Sequence, residues 1–313
     1  SFDMKKKEKN TIVIGALNMD LVIETERLAH LGETFPGNHF YTAPGGKGGN
    51  QAVAAARSNG GNCDVHMIGC IGDDLFGSQL TDLLEKDKVN SDNIVVVPGI
   101  SSGIAIIFIL PNGENHVNPV YGANEFCDQK QLNSVKKLLN NSGVLLAQQE
   151  IPIQTTFQCL KLAKKKLVTT ILDPAPNRVV PVDFYYYVDV ITPNETEASY
   201  LSGTEINDLN DVENAAKIIQ KKGPKSVVIT LGSKGAWVLS DEFEGHVPPF
   251  KVDTVASVAA GDAFNGCLSS RLSQGFGFEE SVRFASAGGA ICASRSGSQT
   301  AMAYLREIET IMS

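Results

Sequence analysis

Short apolar runs alternate along this chain with stretches in which apolar residues recur at helical spacing. The runs TIVIGA, DVHMIGCIG, GVLLAQQE, VTTILDPAP, VDVITPNE and KSVVITLG are rich in β-branched residues, and each predicts a strand. Helical patterns separate most of them, beginning with GGNQAVAAARSNG, and the final third predicts helices at 262–273, 278–294 and 301–311. This alternation predicts an α/β fold with a doubly wound, mostly parallel sheet and helices on both faces.

Two segments depart from this alternation and carry the signals of antiparallel pairing. HFYTAP follows LGETFPGN, and SSGIAIIFILPNGENHVNPVYGAN contains two strand-like runs joined at PNGE. We therefore expect a small antiparallel sheet, which we call the lid, inserted in the α/β core. Its strands are expected within residues 16–45 and 100–124 of a single domain that spans residues 1–313.

Composition narrows the class of function. The formal net charge of the 313 residues is −8 at pH 7, which argues against a nucleic-acid partner. No apolar run reaches the length of a membrane span and no signal-peptide core is present, so we expect no membrane partner. The cysteines lack the spacing of a zinc site and indicate a reducing, cytoplasmic setting. They are Cys63, Cys70, Cys127, Cys159, Cys267 and Cys292.

Two polar motifs follow the first predicted strand. In GALNMD, Asn18 and Asp20 lie two apart on an extended chain and point the same way, which suits hydrogen bonds to a polyol. An Asx turn is the alternative. In PGGKGGN, the residue after Lys47 is glycine rather than Ser or Thr, so the motif is not a P-loop. Lys47 and Asn50 then lie at a glycine-rich helix start, which is either a ligand loop or a tight turn.

Two later motifs each have a structural and a functional interpretation. In TPNETE, Asn194 and Glu197 either form a capping box or hold waters around a phosphate-bound Mg²⁺. TLGSKG, which includes Thr230, Gly232 and Gly235, is either a hairpin turn or a backbone cradle for phosphates.

The segment VAAGDAF opens the first helix of the final third. Helix N-termini carry unpaired N–H groups and a partial positive charge, and they bind phosphate. The small residues Ala259, Ala260 and Gly261 would let a phosphoryl group reach these amides. Asp262 beside them is suited to accept a proton from an attacking hydroxyl. The segment therefore indicates phosphoryl transfer to an alcohol, with a simple charge–dipole contact as the alternative.

The motifs together resemble those of the ribokinase family of carbohydrate kinases. GGKGGNQAVAAAR and AAGDAFNG are similar to the two signatures of that family. IGDDLFG, SSGIAIIF, GAN, DPAP, ITPNETE and ITLGSKG lie between them in the family's order, so the resemblance covers nearly the whole chain. It implies a doubly wound domain whose lid covers the sugar. It also implies a homodimer in which the lid contacts a second subunit.

The resemblance implies a role for each matching position. The sugar would be bound by Asn18, Asp20, Gly46, Lys47, Asn50, Glu150 and Asp262, above an apolar floor of Ala105 and Ile107. ATP would lie at Asn194, Thr230, Gly232, Gly235, Gly261 and Ser286, and Mg²⁺ would be held through water by Asn194 and Glu197. Ala259, Ala260 and Gly261 would form an anion hole, with Asp262 as the catalytic base.

One departure from the family pattern concerns a monovalent cation. Where the family usually has Asp-Thr-Thr before the small residues, this chain has Ala256, Ser257 and Val258. The family's aspartate helps to hold K⁺, so we expect weak K⁺ activation here. The remaining ligands would be backbone carbonyls near Val258, Ala293 and Ser296.

The activity implied by the resemblance is ATP-dependent phosphorylation of D-ribose at O5 to give ribose 5-phosphate. A related kinase that acts on 2-deoxyribose, another sugar or a nucleoside is the first alternative. The second is a sugar-binding protein of the same fold with weak catalysis. A turnover assay with ATP and ribose separates the kinase from the binding protein.

Overall fold

The computed structural model describes residues 9–256 and 258–313. Fourteen strands lie within them: β1 (Asn10–Ile14), β2 (Asn18–Glu24), β3 (His39–Gly45), β4 (Val65–Gly72), β5 (Val89–Asn90), β6 (Ile94–Val97), β7 (Gly103–Ile109), β8 (Asn115–Val120), β9 (Ser142–Ala147), β10 (Thr169–Leu172), β11 (Val190–Ile191), β12 (Ser226–Thr230), β13 (Ala236–Leu239) and β14 (Glu244–Val247). The α-helices of the same residues are α1 (Lys47–Asn59), α2 (Leu75–Lys86), α3 (Gln129–Leu138), α4 (Ile153–Lys165), α5 (Glu195–Ser202), α6 (Leu209–Gln220), α7 (Ala260–Ser273), α8 (Phe278–Ala293) and α9 (Leu305–Met312).

The main sheet has the strand order β14-β13-β12-β11-β10-β9-β1-β4-β5, and β6 also pairs with β4. Every pair from β12 to β5, and the pair of β4 with β6, is parallel. Within the described residues, the antiparallel pairs of this sheet lie at one edge, where β13 pairs with β12 and β14 pairs with β13. The six apolar runs that predict strands correspond to β1, β4, β9, β10, β11 and β12. The predicted fold class is therefore confirmed.

Helices cover both faces of this sheet because its strands are apolar on both sides. In the central strand β1, Val13 packs in a core that includes residues of α1, α7 and α8. Its neighbours Ile12 and Ile14 pack on the opposite side, in a core that includes residues of α3, α4 and α6. The period of two along a strand produces this division.

The second sheet has the order β3-β2-β7-β8. β2 and β3 are antiparallel, and so are β7 and β8, which the PNGE turn joins as predicted. However, β2 and β7 are parallel, so the expectation of an entirely antiparallel lid is wrong. Between β3 and β7 the chain passes through α1, β4, α2, β5 and β6, and a crossover of that length can return a strand in the parallel direction.

The C-terminal helices lie close to their predicted positions. α7 begins two residues before the predicted Asp262, and α8 ends one residue before the predicted Ser294. The third helix was predicted from Ala301 but begins at Leu305, because residues 299–301 form a 3₁₀ turn before it. Such short turns share the apolar spacing of an α-helix over a few residues.

No helix in residues 9–256 or 258–313 combines the length and the apolar character that a membrane span requires. Five thiols are buried, which agrees with the interpretation of the cysteines as small apolar residues. They are Cys70, Cys127, Cys159, Cys267 and Cys292.

Candidate active site

The N-terminus of α1 lies beside the loop that follows β1, at the carboxyl end of the parallel strands. Gly46 precedes the helix with φ of 84°, and a Cβ there would lie 2.7 Å from the carbonyl oxygen of Ala16. The backbone N–H of Lys47 donates to Oε1 of Glu150 at 2.8 Å. Glu150, shortly after β9, thus caps α1 and fixes Lys47 at the edge of the sheet where ligands of α/β proteins bind.

α1 and α7 cross very closely, and this crossing places the candidate base. A Cβ on Gly266 would lie 2.4 Å from Cβ of Ala54 and 2.5 Å from the carbonyl oxygen of Gln51. Glycine at this position therefore allows backbone contact between the helices. Asp262 lies one turn earlier on α7, so its side chain points at the first turns of α1.

The carboxylate of Asp262 is buried, and only 6 % of the residue is exposed. Nδ2 of Asn50 donates to its Oδ2 at 2.9 Å, and Nε2 of Gln51 donates to its Oδ1 at 3.0 Å. Consecutive residues of α1 thus hold the two oxygens of one carboxylate. Each oxygen retains a further lone pair with which to accept a proton or a hydrogen bond.

Gln51 connects Asp262 to a second buried carboxylate. Its Nε2 also donates to Oδ2 of Asp173 at 2.8 Å, and its Oε1 accepts from Nε2 of Gln148 at 2.7 Å. Asp173 follows β10 and Gln148 follows β9, so the network spans adjacent strand ends of the sheet. Gln51 and Gln148 are almost completely inaccessible to solvent.

The N-terminus of α7 differs from that of α1 in having no cap. Ala259 is the N-cap residue, and no side chain of the described residues accepts from the first turn of the helix. The first intrahelical bond runs from the N–H of Ala263 to the carbonyl of Ala259. Gly261 is exposed, and a Cβ there would meet no atom of the described residues within 4 Å. Within that part of the chain, open space therefore borders the unpaired N–H groups of Ala260 and Gly261.

The second sheet contributes two of the polar residues expected to bind the sugar, Asn18 and Asp20. Asp20 on β2 lies between Ala43 of β3 and Ala105 of β7 in the strand register. Because side chains alternate, Ile107 lies on the same face as Ala105. Asn18 at the start of β2 is held by Asn124, whose Nδ2 donates to its Oδ1 at 2.8 Å.

Charges within this cleft influence one another strongly. The negative charge of Asp262 raises the pKa of Lys47 against the effect of burial, so the ammonium group remains protonated. Burial, with the charges of Glu150 and Asp262, raises the pKa of Asp20 to about 7. Burial also raises the pKa of Glu150 and, far more strongly, that of Asp173. Hydrogen bonds place Glu150 at Lys47 and Asp173 beside Asp262, and the Asp20 carboxylate lies against Gly45, so these side chains share one cleft.

The residues expected at the nucleotide lie at neighbouring strand ends. Asn194 and Thr230 form a parallel bridge between the ends of β11 and β12. Asn194 and Glu197 form a capping box: Oδ1 of Asn194 accepts from the N–H of Glu197 at 2.8 Å, and Oε1 of Glu197 accepts from the N–H of Asn194 at 3.1 Å. The structural interpretation of TPNETE is therefore correct, and the same side chains remain at the cleft.

The TLGSKG turn and Ser286 complete the nucleotide set. Gly232 and Gly235 have φ of 58° and 90° in the turn between β12 and β13, which pair as an antiparallel hairpin, one of the two interpretations of TLGSKG. Ser286 lies half-buried on α8, one turn before Gly289, where a Cβ would lie 3.3 Å from the carbonyl of Ala260. α8 therefore passes beside the start of α7.

The segment expected to hold a monovalent cation lies next to the end of α8. The carbonyl oxygen of Ala293 accepts from the N–H groups of Val255 at 2.8 Å and Ala256 at 3.0 Å. Val258 and Ser296 are exposed. Ser257, named with Ala256 and Val258 in the expected departure, lies outside the described residues.

The structure adds side chains that the sequence analysis did not select. Gln51 follows the selected Asn50, and Asp173 and Asn124 lie in the quoted DPAP and GAN motifs. Their position at strand ends or helix starts is a usable signal. Gln148 has no comparable signal, because its importance depends on its contact with Gln51, 97 residues away in sequence.

Comparison with known proteins agrees with this geometry. The sequence profile of the pfkB family of carbohydrate kinases matches residues 8–303. The chain is 36% identical over 308 residues to a ribokinase of Schizosaccharomyces pombe, with 96% of each chain covered. It is 31% identical over 302 residues to a deoxyribokinase of Salmonella typhi, with 96% of this chain and 98% of that protein covered.

A solved structure of a ribokinase from Arabidopsis thaliana, complexed with ribose and ATP, superposes with a TM-score of 0.88. It is 28% identical and covers 97% of this chain and 98% of its own. The expected activity class, an ATP-dependent carbohydrate kinase, is thereby confirmed. The chain belongs to the pfkB family of carbohydrate kinases.

Proposed function

We propose that this chain phosphorylates D-ribose at O5 with ATP, giving ribose 5-phosphate, and that Asp262 is the general base. The observation that carries the proposal is the position of Asp262, a buried and doubly hydrogen-bonded carboxylate in the first turn of an uncapped helix. The similarity to the ribokinases of S. pombe and A. thaliana supports ribose as the acceptor.

The sugar lies between the second sheet and the start of α1 in this proposal. Carboxylates accept from sugar hydroxyls, and Asn and Lys side chains donate to them. Asp20, Lys47, Asn50 and Glu150 supply these groups, and Gly46 allows close approach of the backbone. Ala105 and Ile107 present an apolar surface to the carbon side of the ring. Asn18 reaches the same space from the start of β2.

The transfer step needs positioning, a base and stabilisation of negative charge. Asp262 accepts the proton of the O5 hydroxyl as that oxygen attacks the terminal phosphorus of ATP. The bond from this phosphorus to the bridging oxygen of ADP breaks. The N–H groups of Ala260 and Gly261 at the positive end of α7 stabilise the phosphoryl oxygens, and Ala259 leaves space for them.

The nucleotide is expected along the strand ends that carry Asn194 and Thr230, with Gly232, Gly235 and Ser286 beside it. Mg²⁺ prefers oxygen donors, keeps several waters and is commonly held by one or two carboxylates and substrate phosphates. Asn194 and Glu197 fit this requirement, because a carboxylate has about four acceptor sites and the cap uses only part of them. When bound, Mg²⁺ neutralises phosphate charge.

A sugar panel tests the proposal. The purified protein is incubated with Mg-ATP and ribose, 2-deoxyribose, fructose or adenosine, and ADP formation is followed. The phosphorylated position is assigned by ³¹P–¹H NMR. We expect the highest kcat/KM with ribose and a product phosphorylated at O5. A higher kcat/KM with 2-deoxyribose would favour the second candidate, which the similarity to the Salmonella deoxyribokinase supports. Ribose binding without turnover would favour a sugar-binding protein.

The proposal includes a homodimer formed through the lid and a cytoplasmic location. Apolar side chains on this sheet are exposed in the single chain: Phe40, Tyr41, Val117 and Val120 are each more than 40% accessible. Patches of this kind commonly mark interfaces. Sedimentation equilibrium should give twice the chain mass, and Phe40→Ser with Val117→Ser should shift the protein to monomer.

A further inference from the structure

We propose that Gln51 is a positioning residue for the base: it fixes the orientation of the Asp262 carboxylate and separates it from Asp173. This inference rests on the function proposed above. Gln51 itself touches no substrate position, since it is fully buried and all its polar atoms are used by Asp262, Asp173 and Gln148. It acts on the reaction only through Asp262.

The chemistry of a primary amide explains this arrangement. The Nε2 of Gln51 carries two hydrogens, and the structure directs one to each carboxylate, at 2.8 Å to Asp173 and 3.0 Å to Asp262. Its Oε1 accepts from Gln148, so reversal of the amide would place oxygen against two carboxylates and nitrogen against a donor. The two carboxylates therefore determine which end of Gln51 faces them, and Gln148 donates to the oxygen at the other end.

Two consecutive side chains of α1 then define the plane of the base. Asn50 holds Oδ2 of Asp262 and Gln51 holds Oδ1, so rotation about the Cβ–Cγ bond would break both bonds. Asn50 is also an expected sugar contact and is free to exchange partners when the sugar binds. Gln51 has no such second role, and its bond to Oδ1 persists through the reaction cycle.

The hydrogen bond also acts on the charge of the base. Besides Asp173, five ionisable side chains interact electrostatically with Asp262. They are Lys47, Asp20, Glu150, Glu197 and the thiol of Cys292. Four of the five are acids that oppose its ionisation when charged, and Lys47 favours it. A donor to Oδ1 stabilises the carboxylate and lowers its proton affinity. Loss of that donor should therefore change the pH dependence of the reaction.

Gln51→Met is the direct test, because methionine has similar length and flexibility but no N–H donor. We expect kcat to fall roughly 10–100-fold, as for other misplaced catalytic groups. The KM for ribose should change little, and the acidic limb of the kcat–pH profile should move to higher pH. Gln148→Met should give a smaller change in the same directions, since it removes only the donor to Oε1 of Gln51 and leaves both bonds to the carboxylates.

Gln131→Met is the matched control. Gln131 is also buried, on α3, and donates to Sγ of Cys70 outside the cleft. The Gln131→Met substitution should lower thermal stability without changing kcat or the kcat–pH profile. A Gln51→Met protein with the parent kcat and pH profile would overturn the inference. Equal losses in Gln51→Met and Gln131→Met, with an unmoved pH profile, would also overturn it and indicate a purely structural role.

A second readout does not depend on turnover. In protein labelled with ¹³C at the aspartate carboxyl carbons, the Asp262 signal is assigned by its loss in Asp262→Asn. Its chemical shift at a fixed pH should differ between Gln51→Met and the parent and should be the same in Gln131→Met and the parent. A Gln51→Met signal at the parent position would contradict the inference. If the parent phosphorylates no acceptor of the panel, the proposed function fails, and this chemical shift still decides whether Gln51 positions Asp262.

Discussion

The N-termini of α1 and α7 meet in one cleft but are completed in different ways. At α1 the N–H of Lys47 is bonded to Glu150 and the N–H of Gly49 to the carbonyl of Ala16. At α7 no described side chain caps the first turn, and none of the described residues fills the space beside Gly261. Both segments are glycine-rich, so composition alone does not distinguish them.

The difference indicates which terminus is left for a ligand. An uncapped helix N-terminus in a folded protein leaves N–H groups for water or for an anion. At α1 the protein's own carboxylate fills that role and fixes the residues expected to hold the sugar. At α7 the terminus is available, and Asp262 is placed next to it. We therefore expect changes at α7 to affect the transfer step and changes at α1 to affect stability or sugar binding.

The largest effect is expected at Asp262. Asp262→Asn should lower kcat by roughly 10²–10⁴, the typical contribution of a positioned general base. The folded state and ribose binding should be retained, because asparagine has the same shape. Its amide does, however, face two amide donors, so some loss of stability is expected. Steady-state kinetics measures the fall in kcat, and calorimetric titration with ribose measures sugar binding. Turnover within a few-fold of the parent would show that Asp262 is not the base.

A pair of glycine substitutions tests the comparison directly. At Gly261 a methyl group meets no described atom within 4 Å and lies in a helix, so Gly261→Ala should fold with equal or greater stability. The same methyl group would occupy the approach to the α7 amides, so kcat should fall by about 10²-fold, as for a misplaced phosphoryl group.

Gly46→Ala is the matched substitution at α1. Its φ of 84° and the 2.7 Å distance to the carbonyl of Ala16 should lower the free energy of unfolding by about 1–3 kcal/mol. Thermal melts and kinetics on both proteins separate the two effects. The proposed difference between the two helix N-termini would be wrong if Gly261→Ala retained full turnover or if Gly46→Ala were as stable as the parent.

The sequence predicts the place of the site better than its internal contacts. Strand ends and helix starts are local features, so Asn18, Lys47 and Asp262 could be selected from motifs and periodicity. The bond between Asn50 and Asp262 joins residues 212 positions apart, and it depends on the close crossing at Gly266. No local pattern encodes such a crossing.

The cap of α1 and the strand pairing of the lid could not be predicted from the sequence either. Glu150 lies 103 positions from the N–H that it accepts from, and nothing in the α1 sequence indicates an acceptor so distant. The parallel pairing of β2 with β7 depends on the path of the intervening chain rather than on either strand's residues. Tertiary proximity is the missing information in both cases.

A smaller effect is expected at Asp20, on the pH dependence of sugar binding. Burial and two neighbouring acids raise the pKa of Asp20 to about 7, so its carboxyl is neutral below that pH and ionised above it. An ionised acceptor makes stronger hydrogen bonds to hydroxyl groups by about 1 kcal/mol. The Kd for ribose should therefore rise about five-fold as the pH falls from above 7 to below it. Calorimetry across this pH range measures the change, with Asp20→Asn as the control that should show none.

The smallest effect is expected from K⁺, next to the open terminus of α7. Ala256 stands at the position where the family resemblance implies an aspartate, and a neutral side chain supplies neither charge nor ligand oxygens. The carbonyl of Ala293, one of the expected ligands, already accepts two backbone hydrogen bonds, from Val255 and Ala256. A carbonyl oxygen has two lone pairs, so little acceptor capacity is left for a cation.

We expect little or no activation when KCl is titrated in a bulky-cation buffer at constant ionic strength. Strong activation at low millimolar K⁺ would contradict this prediction, and it would imply that water or Asp253 replaces the missing carboxylate. Ala256→Asp provides the converse test, because the added carboxylate should make the proposed anion hole at α7 responsive to K⁺.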